Sequence, residues 1–126
     1  MNIRMLLSGV SLVVLSLPAI AETEKAVSYS ADIRPLINDY CLSCHQPGGK
    51  GFEKSGLDMR TYESLIKGTK YGAVIKAGDS FTSTLVMLVE GRADPSIKMP
   101  FGINGNLSRD RIELLRKWID QGARNN

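Results

Sequence analysis

The sequence is short of the features that define several large classes of protein. It has two cysteines in 126 residues, Cys41 and Cys44. A bridge between them would close too short a loop to restrain much of the chain, so a disulfide framework of the kind that holds small exported domains is excluded. It has one histidine, His45, so no site built from two imidazoles of the same chain is available. No stretch shows strand alternation or a hairpin signal. No apolar run reaches the roughly 20 residues that a membrane-spanning helix needs: the run from Met5 to Leu17 is short and is interrupted by Ser8, Gly9, Ser11 and Ser16, with Pro18 after it. A concentrated charge of one sign is missing too. The net charge is +3, and the basic residues are scattered from Lys25 to Arg124, which gives no basic face for nucleic acid.

The apolar run has another meaning. Arg4 precedes it, and Ala19-Ile20-Ala21 supplies the small residues of a cleavage site, so residues 1–21 read as an export signal cut after Ala21. The first cysteine is Cys41, so the usual acceptor for a lipid anchor does not follow the run. The expected product is soluble, periplasmic or secreted, with no membrane span after cleavage. Its charge is nearly balanced, 15 basic residues against 13 acidic ones once Arg4 is removed. Residues 22–28 are polar and aperiodic, a flexible lead-in to one domain over 29–126. A domain of that size builds a modest core, which a large buried cofactor would help to fill.

Helical periodicity runs through the domain. From Asp32, the residues Ile33, Leu36, Ile37 and Tyr40 share one face, with Pro35 in the first turn, where its missing N–H costs little. Gly48-Gly49-Lys50-Gly51 resembles the end of a phosphate-binding loop. It lacks the following Ser or Thr, the first Gly and a preceding strand, and reads instead as a flexible surface loop. Thr61 is placed to cap a helix carrying Tyr62, Leu65 and Ile66, ended by Gly68. A further helix begins near Ser83, with Leu85, Leu88 and Val89 inward and Gly91 as its stop. The last has Ser108 as N-cap, Leu107 and Ile112 as a hydrophobic staple, Asp110 in its first turn, and Ile112, Leu115, Trp118 and Ile119 inward, with Gly122 ending it. The expectation is a small all-α domain of about four helices.

The chemistry concentrates at Cys41-Leu42-Ser43-Cys44-His45. Two thiols two residues apart, followed at once by an imidazole, hold a haem by three points: thioethers from Cys41 and Cys44, and iron ligation by His45. A redox dithiol would want a strand–helix context that this chain lacks. A structural zinc would want four ligands where Cys and His supply three. With no second histidine, the sixth iron position falls to methionine, a weaker donor or water. Met87 lies inside an apolar run and reads as core filler, and Met59 follows the motif too closely to reach the opposite face of the ring. Met99, in a Gly- and Pro-rich loop before Pro100, is the preferred distal ligand. Methionine opposite histidine closes both axial positions and suits the iron to passing single electrons. Lys50, Lys54 and Lys98 are candidates for a positive rim that steers an acidic redox partner, with ordinary solvated lysines as the alternative.

With these residues in place, the chain resembles the class I c-type cytochromes, and more narrowly the planctomycete-type cytochrome c domains. The landmarks, over roughly residues 29–123, are Ile33-Arg34-Pro35-Leu36-Ile37, the Cys41–His45 motif, Ser55-Gly56-Leu57-Asp58, Gly78-Asp79-Ser80, Ser83-Thr84-Leu85, Lys98-Met99-Pro100 and Trp118-Ile119-Asp120-Gln121-Gly122-Ala123. The resemblance implies first and last helices crossing near the edge of one covalent haem c, His45 proximal and Met99 distal, and a non-enzymatic electron carrier with redox partner proteins, free or as the cytochrome subunit of an exported oxidoreductase. No proline lies between Pro47 and Pro95 to hold the histidine through its carbonyl, so the backbone near Gly56 or Leu57 is the expected substitute. The competing function is a haem enzyme or gas sensor with an open or displaceable sixth position.

Overall fold

The computed structural model describes residues 24–101 and 106–126; the expected export signal, residues 1–21, lies outside them. The domain opens on a wide turn. The N–H groups of Asp32 and Ile33 both donate to the Ser28 carbonyl, at 3.0 and 3.2 Å, which makes Tyr29–Ile33 a π-helical turn. Ser28 Oγ caps it by accepting from the Ala31 N–H. The turn continues into α1 (Arg34–Tyr40). Ile33, Leu36 and Ile37 are buried as their spacing requires, while Tyr40 stays at the edge with the Arg111 guanidinium 4.6 Å from its ring.

The segment expected to be a flexible loop is partly helical: α2 spans Lys50–Ser55. Its start has no side-chain cap, and one of its free donors, the Phe52 N–H, is satisfied by the Cys44 carbonyl at 2.9 Å. A tertiary bond thus replaces the local signal that sequence reading relies on. Five α-helices are present among the described residues, and α2 is the one not expected.

Helix α3 (Tyr62–Lys67) begins as its sequence indicates, with Thr61 and Ser64 exchanging side-chain-to-backbone bonds in a capping box. Gly68 ends it at φ +84°, where a Cβ would stand 2.5 Å from the Gly72 carbonyl oxygen, so only glycine fits. A single bridge, Thr69 to Gly72, follows, and no strand occurs among the described residues. In α4 (Thr84–Glu90) the inward face differs from expectation: Val86 and Val89 are buried, while Leu85 packs at the edge of the core. Ser83 stands at the N-cap without capping. Its Oγ instead accepts from the Lys76 N–H and donates to the Asp79 carbonyl.

A 3-10 turn at Pro95–Ile97 precedes α5 (Arg109–Asp120), whose Leu115, Trp118 and Ile119 are buried as expected. Ser108 occupies the N-cap position but makes no side-chain cap bond. At the other end, Gly122 takes φ +102°, and the Ala123 N–H returns to the Trp118 carbonyl at 2.9 Å, a Schellman closure.

The core lies where the π turn, α4 and α5 meet. Tyr29 packs edge-on to Tyr62 at 5.1 Å and against Trp118 at 5.6 Å. Residues 24–28, expected as a free lead-in, run along the end of α5. Val27 is buried and its N–H donates to Gln121 Oε1 at 2.8 Å, while Glu24 pairs with Lys117 at 2.6 Å. No helix among the described residues is long and apolar enough to cross a membrane.

Candidate functional site

The C-terminal end of α1 runs directly into the motif. The Cys41 and Leu42 N–H groups both donate to the Ile37 carbonyl, each at 2.9 Å, and the Cys44 and His45 N–H groups then both donate to the Cys41 carbonyl, at 3.2 and 3.0 Å. This compact turn brings Cys41, Cys44 and His45 together at one helix end. Both thiols are free and half-buried, and Cys41 packs against the core.

Burial pushes the Cys41 thiol up to about 11, and the neighbouring Cys44 adds to the effect. A reactive dithiol depends on a stabilised thiolate, so the environment here is the reverse of what redox exchange wants. Among the described residues, no three His, Cys, Asp or Glu side chains are grouped to hold a metal ion.

His45 is 9% exposed, and the loop that follows it builds its walls. Gly51, in the first turn of α2, lies against the imidazole so closely that a Cβ there would stand 2.7 Å from Cε1 and 2.9 Å from both ring nitrogens. Gly49 is pressed as tightly on the Cys44 backbone, where a Cβ would meet the carbonyl oxygen at 2.4 Å. The loop closes where the Met59 N–H donates to the His45 carbonyl at 2.8 Å. Burial pushes the imidazole below its ordinary value, and the Leu57 backbone partly offsets this. Leu57 is one of the two positions expected to act on the ring, and its backbone does act there, though not in the close geometry of a full hydrogen bond to Nδ1.

Met99 comes from a different part of the chain. It follows the Pro95–Ile97 turn, is fixed by its N–H to the Leu88 carbonyl at 3.1 Å, and packs against the same core cluster as Cys41 and Leu42. Met59, by contrast, is fully part of the core at 4% exposure. Lys50 and Lys54 are exposed on α2, while the Lys98 side chain lies over Gly91. An open groove of about 590 Å³ runs along the outer side of α5, between Glu24, Glu113 and Lys117, and touches none of the motif residues.

Sequence reading missed the two glycines that wall the motif. Their signal was present, since two glycines within six residues after a cofactor motif suggest close approach as readily as flexibility. Residues 41–100 match the family model described as planctomycete cytochrome C. No curated protein and no solved structure matches the chain.

Proposed function

We propose that the protein is an exported carrier of single electrons with one covalent haem c, a reading supported by the match of residues 41–100 to the planctomycete cytochrome C family model. Cys41 and Cys44 would hold the haem through thioethers, and His45 and Met99 would ligate its iron. A cytochrome c domain points to electron transfer rather than catalysis.

The observation that carries the reading is the state of His45. Its burial favours the neutral imidazole, the form that binds a metal. Its Nδ1 is buried without a hydrogen-bond partner, close to the Leu57 backbone that acts on the ring. The ring is confined by Gly51. Two free thiols stand in the same turn, and burial holds the Cys41 thiol away from thiolate chemistry. The residues fit a haem attached at both cysteines and ligated at the histidine.

The haem supplies a one-electron iron couple. The chain's part is to fix the ring of His45 through the 45–59 loop and to present the Met99 side chain from a loop anchored on Leu88. With His45 and Met99 both engaged the site would favour electron transfer over ligand binding, and His45 is the sole histidine, so no second imidazole would assist peroxide or oxygen chemistry. Lys50 and Lys54 support docking of an acidic redox protein on the α2 side. The Arg4 and Met5–Leu17 pattern supports export to the periplasm.

Intact-mass analysis of the purified exported protein under denaturing conditions tests the attachment. The expected result is the chain plus one haem. Loss of that added mass is expected in the double variant Cys41→Ser, Cys44→Ser. A wild-type chain that releases its haem on denaturation, or carries none, contradicts the reading.

A further inference from the structure

Arg34 belongs to the first turn of α1 and is only partly exposed. Its Nη1 donates to the carbonyl of Met59, 25 residues away, at 2.7 Å. Met59 in turn donates its own N–H to the carbonyl of His45 at 2.8 Å. The two bonds form a strap from α1, through the single residue Met59, to the backbone of the histidine.

Gly51 and Leu57, which approach the imidazole, lie inside the loop that this strap closes. Gly51 stands against the ring, the Phe52 N–H is bonded to Cys44, and the Leu57 backbone acts on the ring. The Met59 side chain, buried in the core, anchors one side of the closing residue, and Arg34 holds the other. A guanidinium donor on a carbonyl is charge-assisted and directional, so it fixes the peptide that follows Met59 and, through the backbone dihedrals of that one residue, restrains the preceding peptide, whose N–H bonds to His45. The neighbouring Arg60 does something else: it pairs with Asp58 on an exposed turn.

From this geometry we infer that Arg34 is a positioning residue of the haem site, clasping the 45–59 loop through Met59 so that the His45 ring is held in one orientation. This rests on the haem reading of His45. The side-chain hydrogen bond of Arg34 goes to the Met59 carbonyl, so it acts through the loop backbone. Removing it frees the Met59 peptide, widens the range of His45 ring orientations, and withdraws a positive charge from the loop, which favours the ferric state and lowers the reduction potential.

The test compares holoprotein carrying Arg34→Ala, Arg34→Lys and Arg60→Ala. Three quantities are read: exchange of the Met59 amide relative to that of Leu115 in α5, the ferric electron paramagnetic resonance signal, and the reduction potential. Arg34→Ala is expected to speed Met59 exchange about tenfold over any change at Leu115, to broaden the ferric signal and to lower the potential. Arg34→Lys, which keeps a charged donor, is expected to restore most of each, and Arg60→Ala to match wild type. Should Arg34→Ala yield no holoprotein, Arg34→Gln and Arg34→Lys carry the same comparison as a graded pair. Equal changes at Met59 and Leu115, with wild-type signal and potential, would make Arg34 a general stabiliser and overturn the inference alone. A wild-type protein without covalent haem would overturn the reading of the site as well.

Discussion

Replacing Gly51 with alanine places one methyl group where the imidazole of His45 already is. The added Cβ would lie 2.7 Å from Cε1 and 2.9 Å from Nδ1 and Nε2, against the roughly 3.5–4.0 Å at which carbon atoms pack without repulsion. The ring, or α2, must withdraw by about 1 Å for normal contact to be restored. Overpacking of this kind costs about 1–3 kcal/mol. The helix gains up to about 1 kcal/mol from losing a glycine, and less at its first turn, so the net loss is about 1–2 kcal/mol. Gly48→Ala is the matched control: Gly48 has φ +86° and nothing within 4 Å of an added Cβ, so it costs about 1–2 kcal/mol of backbone strain without reaching His45. Denaturant unfolding of the two holoproteins should therefore show similar losses, while only Gly51→Ala should shift the haem absorption spectrum. A Gly51→Ala protein at least as stable as wild type, with an unchanged spectrum, would refute the placement of Gly51 against the ring.

Three further outcomes are expected. Gly68→Ala combines a left-handed φ with a Cβ 2.5 Å from the Gly72 oxygen, and thermal unfolding should fall by at least about 4 °C, the effect of roughly 1 kcal/mol on a domain this size; no change would show that the 68–73 turn is held differently. Ile119→Ala removes a side chain with 0% exposure from α5 and should cost about 2–5 kcal/mol in denaturant unfolding, whereas a loss below 1 kcal/mol would contradict its place in the core. Asp79 is held well below its ordinary value near 3.8 by bonds from Lys76 and Thr82. Its contribution to stability is therefore complete above that value and lost as the pH falls below it. The stability gap between wild type and Asp79→Asn should be present at pH 7 and shrink below about pH 4; a gap independent of pH would show that the carboxylate charge is not involved.

The helix that carries Leu115, Trp118 and Ile119 could be placed from sequence because its apolar residues alternate with charges at helical spacing, which fixes the phase of the inner face. The run Leu85-Val86-Met87-Leu88-Val89 has no polar residue to set a phase, and for that reason its inward side was only partly placed: Val89 is buried as expected, but Val86 is buried in place of Leu85 and Leu88. Helix α2 was missed because nothing local starts it: Gly49 cannot cap by a side chain, and the bond from Phe52 to the Cys44 carbonyl exists only once the chain has turned back on the motif. In the candidate site, Cys41, Cys44 and His45 were legible because they are contiguous, and one turn of backbone brings them together. Gly51 and Arg34 act on His45 through contacts that depend on folding, Arg34 across 25 residues to Met59, and no spacing rule reports such pairs. Ser108 shows the opposite error, a favourable cap residue at the expected position whose side chain makes no cap bond.

The most direct test of a His45- and Met99-ligated haem is the absorption spectrum of the purified exported protein, ferric and ferrous, with carbon monoxide added to the reduced sample. The expected result is a c-type spectrum with a methionine-to-ferric-iron charge-transfer band, no response to carbon monoxide, and loss of that band in Met99→Ala. A c-type spectrum that shifts with carbon monoxide would show an open or displaceable sixth position and contradict the closed electron carrier, and the absence of any haem spectrum would contradict the assignment of Cys41, Cys44 and His45 altogether.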